Sequence, residues 1–154
     1  MFYYLKNKYL LIKHFETAAD YTVANKFSVG TSMEIISSSA LSRVKQFFPN
    51  AKYSEYMTWY FQNNPEYFKL NFVDLPTEWI RDFRLTLDYQ EDLDVFNHIE
   101  SHFKINKLDF SIKELYKFLD ENPKVNQLNS HLSLVYKTDK ELIKLLNEKT
   151  KIKK

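Results

Sequence analysis

A chain of 154 residues with 44% hydrophobic and 17% aromatic content has the length of one domain and enough apolar material for a sizeable, aromatic-rich core. Twenty-two Lys and Arg against twenty Asp and Glu leave a formal charge of +2, which provides no global field for a polyanion, so nucleic acid is not an expected partner. The absence of cysteine excludes a disulfide framework, a thiolate metal site and a cysteine nucleophile, and agrees with a reducing, cytoplasmic compartment.

Met1 to Phe15 is apolar, but Lys6, Lys8 and Lys13 interrupt every hydrophobic run, so no membrane span is expected. Leu5, Tyr9, Ile12 and Phe15 or Glu16 recur at helical spacing and predict an amphipathic helix whose apolar stripe is buried. Tyr21–Ala24 and Ser32–Ile36 are short β-prone runs. Between them lies the only glycine, Gly30, where a turn calls for positive φ or a close backbone approach. Ser37, Ser38 and Ser39 offer cap hydroxyls to a helix through Ala40, Val44 and Phe47 that stops at Pro49.

A further helix is predicted from about Glu55 to Gln62, ended by Asn63-Asn64-Pro65. Phe68–Val73 and Phe83–Leu87 alternate apolar and polar residues and predict two more strands. From Gln90 the period becomes helical through Leu93, Phe96, Ile99 and Phe103. Helices follow over about Ile112–Glu121 and Lys140–Glu148, with a short strand-like Leu132–Tyr136 between them and a basic, solvated tail from Lys149. The expected fold is α/β, a small mixed sheet flanked by helices.

The segment Arg84-Leu-Thr-Leu-Asp88-Tyr-Gln-Glu-Asp-Leu93 places a carboxylate where a strand ends and a helix begins, a position at which α/β enzymes hold metal and phosphate ligands. Asp88 has two readings. It is a ligand for Mg²⁺, which prefers oxygen donors, or it is the N-cap of the following helix with Glu91 reaching back. On a strand, Arg84, Thr86 and Asp88 share a face, a set that suits either a phosphate or sugar site or a solvated sheet surface. Gly30-Thr31-Ser-Met-Glu34 combines a flexible backbone with a carboxylate able to bind sugar hydroxyls, or is a plain turn. A single glycine excludes a glycine-rich phosphate loop, and no serine is flanked as in a nucleophile elbow. His98 and His102 form an i, i+4 pair without the acid of a zinc protease motif.

Four stretches together resemble the C-terminal half of the acylneuraminate cytidylyltransferase-like family, which includes spore coat polysaccharide biosynthesis protein F. They are Ala19–Asn25, Gly30–Glu34 leading to Leu41, Ser54–Thr58, and Arg84–Asp88 with Glu91–Leu93; Asn122-Pro123 and Asn129 resemble the family's helical extension. The resemblance implies half of a nucleotide-diphospho-sugar transferase fold, with residues 1–104 as the acceptor-side half and 105–154 as a helical C-terminal extension. It implies an activity in which a sugar or sugar acid is activated with CTP for surface polysaccharide synthesis. Gly30, Thr31, Glu34, Glu55 and Arg84 are then expected on the substrate side and Asp88 as a Mg²⁺ ligand, with no catalytic residue named.

Tyr56 stands where the family commonly has histidine, and Thr86 where some sugar-acid synthetases carry an acid. The family's basic nucleotide loop lies N-terminal to every matched segment. The chain is therefore expected to need a split-enzyme partner for CTP binding, or to be a silent remnant or a protein-interaction module. Its uncovered sheet edge also admits a homodimer.

Overall fold

The computed structural model describes residues 2–153, apart from the side chains of residues 2–6, 135 and 136. Its elements are α1 (Phe2–Thr17), β1 (Tyr21–Ala24), β2 (Ile35–Ile36), α2 (Ser38–Phe47), α3 (Met57–Gln62), β3 (Leu70–Val73), α4 (Gln90–Ile105), α5 (Ile112–Glu121), α6 (Pro123–Asn126), α7 (Val135–Thr138) and α8 (Lys140–Lys149). They gather into two compact units interleaved along the chain. One takes residues up to Tyr9, Asn25–Met33 and Asp74–Leu132; the other takes Leu10–Ala24, Glu34–Val73 and the chain from Ser133.

The second unit holds the sheet, in the order β2-β1-β3. β1 runs antiparallel to β2 and parallel to β3, so the sheet is mixed, as expected. β1 is buried on both faces, with Tyr21 and Thr22 fully inaccessible. The Tyr21 ring stacks on Phe61 of α3, centroids 5.8 Å apart, and Phe61 meets Phe68 edge-on at 5.0 Å. Ser37 caps α2 by accepting from the Ala40 N–H, a contact of about 1 kcal/mol. β3 starts two residues later than predicted because the Phe68 N–H donates to the Asn64 carbonyl in a turn and its ring is buried.

The predicted inward stripe of α1 is rotated. Leu10 and His14 are its buried positions in this unit, whereas Ile12 is 44% and Phe15 72% exposed. His14 Nδ1 and Thr22 Oγ1 share a 2.8 Å hydrogen bond, so a polar residue occupies the helix face that the apolar spacing assigns elsewhere. Leu5 lies outside the described side chains. The tail is not simply solvated. Thr150 is fully buried, Asn64 donates to its carbonyl at 2.7 Å, the Ile152 N–H donates to Asn64 Oδ1 at 2.8 Å, and Lys151 pairs with Glu66.

The first unit is built on α4 and α5, whose Val95, Ile99, Phe103, Leu115 and Leu119 pack with Phe83 and Leu85. The predicted strand Phe83–Leu87 is reduced to a parallel bridge between Val29 and Arg84, closed by Val29 N–H to Phe83 O and Leu85 N–H to Val29 O. Gly30 explains the reduction: its φ is +85°, which turns the chain out of the ladder, and a Cβ there would overlap the Leu85 carbonyl. Leu132–Tyr136 forms no strand; Val135–Thr138 is a helical turn instead. Among the described residues no helix is long and apolar enough to cross a membrane.

Candidate functional site

Arg84 enters from the Val29 bridge, and Asp92 sits in the first turn of α4. The arginine side chain is 6% exposed and the aspartate 0%. Arg84 Nε donates to Asp92 Oδ1 at 2.8 Å and Nη2 to Oδ2 at 3.0 Å, a side-on bidentate pair. Asp92 Oδ2 also accepts the backbone N–H groups of Asp88 and Tyr89, at 3.0 and 3.1 Å. Asn129, 1% exposed, donates its amide to Asp92 Oδ1 at 2.8 Å and to the Arg84 carbonyl at 3.0 Å. Burial pushes the Asp92 carboxyl up, but the Arg84 guanidinium, the Asp88 N–H, the Asn129 amide and the Tyr89 N–H together hold it far below the usual carboxylate range. The Asp92 hydrogen bonds in turn raise Arg84, which stays charged.

The helix cap expected of Asp88 belongs to other residues. The N-cap of α4 is Tyr89, and the acid that reaches back is Asp92, one position beyond Glu91. Asp92 satisfies the N–H of the N-cap Tyr89 and that of Asp88 just before the helix. Asp88 is thereby released from capping. Its side chain is 53% exposed, and its Oδ2 accepts from Arg84 Nη2 at 2.8 Å and from Thr86 Oγ1 at 3.0 Å. Thus Arg84, Thr86 and Asp88, placed on one face by their spacing, converge on one oxygen. Oδ1 takes no hydrogen bond among the described residues.

The other candidates are distributed. In the same unit, Gly30 is exposed, whereas Thr31 is 5% exposed and its hydroxyl donates to the Ser28 carbonyl and shares a 3.3 Å hydrogen bond with Tyr116. In the other unit, Glu34 is exposed and its Oε1 accepts from the Tyr21 hydroxyl at 2.8 Å, which accepts in turn from Gln62 Nε2 at 3.0 Å. Glu55 is exposed in the short turn that precedes α3. Arg84 and Thr31 therefore direct their polar atoms into the protein, and Gly30, Glu34, Glu55 and Asp88 present surface.

No group of three or more His, Asp or Glu side chains able to hold a metal exists among the described residues. His102, one of the helical pair, stacks on Phe118 with centroids 4.3 Å apart. At Asp88 the donor set for a cation is one carboxylate oxygen, Oδ1. One such oxygen can hold a hydrated ion weakly, and in the usual Mg²⁺ arrangement water and substrate phosphates complete the shell. Asp92 and Asn129 were invisible as members of this site from spacing alone. Asp92 lies eight positions beyond Arg84 and Asn129 lies 45 beyond it.

No family model matches the chain. An uncharacterized protein of Methanocaldococcus jannaschii is 29% identical over 126 residues, which cover 81% of this chain and 49% of that protein. Among solved structures, a cytidylyltransferase from Leptospira borgpetersenii serovar Hardjo-bovis superposes with a TM-score of 0.61 at 22% identity, covering 84% of this chain and 52% of that one. The chain spans about half the length of each match. Its α/β fold, a mixed sheet with flanking helices, is structurally related to that of a cytidylyltransferase.

Proposed function

We propose that the chain is the acceptor-side part of a cytidylyltransferase-like protein that activates a sugar or sugar acid with CTP for surface polysaccharide synthesis. Residues 1–104 form the acceptor-side half in this reading and 105–154 a helical extension, and another polypeptide segment supplies the nucleotide-binding half. Support comes from the fold relationship and from one observation: a half-exposed carboxylate, Asp88, held on one oxygen by a buried arginine with its other oxygen open.

In the reaction, a hydroxyl oxygen of the acceptor forms a bond to the α-phosphorus of CTP as the bond to the bridging oxygen breaks. Pyrophosphate leaves with the electron pair, and the acceptor proton passes to solvent. A magnesium ion, when bound, neutralises phosphate charge. Asp88 offers that ion one oxygen, and Arg84 and Thr86 keep the carboxylate from rotating. Gly30, Glu34 and Glu55 belong to the acceptor side.

Mixing the chain with candidate nucleotide-binding polypeptides, CTP, Mg²⁺ and a panel of sugar acids tests the reading by pyrophosphate release. Release that needs both polypeptides and falls on the order of 100-fold in Asp88→Asn is expected. Persistent inactivity with every partner removes it. The burial of Arg84 and Thr31 favours a second reading, a catalytically silent or protein-interaction module of the same fold. A stable, inert monomer that captures no partner counts against the interaction role.

A further inference from the structure

A cavity of about 600 Å³ opens between the C-terminal half of α4 and the loop that follows it, and neither Asp88 nor any other candidate residue lines it. Its volume lies within the roughly 300–1,000 Å³ usual for small-molecule sites. Phe96 and Phe103 from the helix and Leu108 and Phe110 from the loop make its lining apolar. The Phe103 and Phe110 rings lie 5.3 Å apart, yet Phe110 remains 70% exposed. Such a ring is held in place without being buried.

Two lysines stand at this lining. Lys104 Nζ lies 2.7 Å from Glu100 Oε1, so its charge is already balanced. Lys107 forms no ion pair among the described residues, and its backbone has φ of +49°, a conformation usually left to glycine at this position after a helix. The Leu108 N–H donates to the Phe103 carbonyl at 3.0 Å, which pins the loop against the helix end. The result is an open apolar groove whose lining includes one lysine that forms no ion pair among the described residues.

We propose that this cavity binds an amphiphilic carboxylate, an acyl chain or aryl ring bearing one anionic head. Its apolar body lies against Phe96, Phe103, Leu108 and Phe110, and its head meets the Lys107 ammonium. A neutral ligand leaves that charge unmatched, and a cationic one is repelled by it. The assignment is independent of the cytidylyltransferase reading.

Backbone amide NMR with decanoate, kept below its micelle-forming concentration, is the test, with decyltrimethylammonium as the charge-reversed control. Decanoate is expected to give saturable shifts centred on residues 96–110. Lys107→Glu should weaken decanoate by about tenfold or more without weakening the ammonium. Phe110→Ala, at an already exposed ring, should weaken decanoate while the spectrum stays folded. The proposal is overturned by the absence of saturable shifts or by decanoate binding that Lys107→Glu leaves unchanged. It is equally overturned if the same resonances broaden with protein concentration alone, which makes the cavity a contact between copies.

Discussion

With a side chain only 6% exposed, Arg84 carries a desolvation cost that its ion pair with Asp92 must offset. Removing one partner strands the other charge in the interior. Arg84→Met and Asp92→Asn are each expected to cost about 3–5 kcal/mol in urea unfolding, and the double variant Arg84→Met/Asp92→Leu less than the sum. The pH dependence follows from the lowered Asp92 carboxyl. Its folded value lies below the unfolded value of about 4, so its contribution is complete above about pH 4 and is lost as pH falls below that. Acid unfolding of Asp92→Asn should therefore show a shallower loss of stability below about pH 4 than the wild type. Gly30→Ala should cost more than about 1 kcal/mol, because both its φ of +85° and the Leu85 carbonyl exclude a Cβ.

At the scale of elements, local pattern located what local pattern controls. Ile112–Glu121 was legible from its apolar spacing, and the structure adds a cap that the spacing did not name: Ser111 accepts from the Glu114 N–H. Where tertiary pairing decides, the pattern misleads: Phe83–Leu87 alternates like a strand, but Gly30 removes the neighbour that would extend it. The buried face of α1 was misplaced because His14 satisfies itself on Thr22, a partner that no periodicity reveals. The end of α1 carries strain of a different kind. Ala18 has φ of +47°, and its N–H and that of Ala19 donate back to the Phe15 and His14 carbonyls, which closes the helix. Ala18→Gly should raise stability by about 1 kcal/mol, read as a higher thermal midpoint. Asn64→Ala, which removes both hydrogen bonds to the tail, should cost about 1–3 kcal/mol and leave the Ile152 amide exchanging freely.

At the scale of the whole molecule, the interleaving of two units along the chain divides the candidate residues: Gly30, Thr31, Arg84 and Asp88 belong to one, Glu34 and Glu55 to the other. The α/β class was legible because β-prone runs and helical periods alternate, and the solved cytidylyltransferase shares that architecture over 84% of this chain. The internal wiring of the candidate site was not. A buried arginine, an aspartate one helical turn into α4 and an asparagine after α6 meet only through folding, and their meeting is what frees Asp88. Metal binding at this site depends on the open oxygen of that residue. Amide NMR with millimolar Mn²⁺ as a paramagnetic stand-in for Mg²⁺ tests it most directly. Selective broadening at Thr86–Tyr89 that persists in Glu91→Gln and disappears in Asp88→Asn is the expected result, and broadening that is absent or unchanged in Asp88→Asn contradicts it.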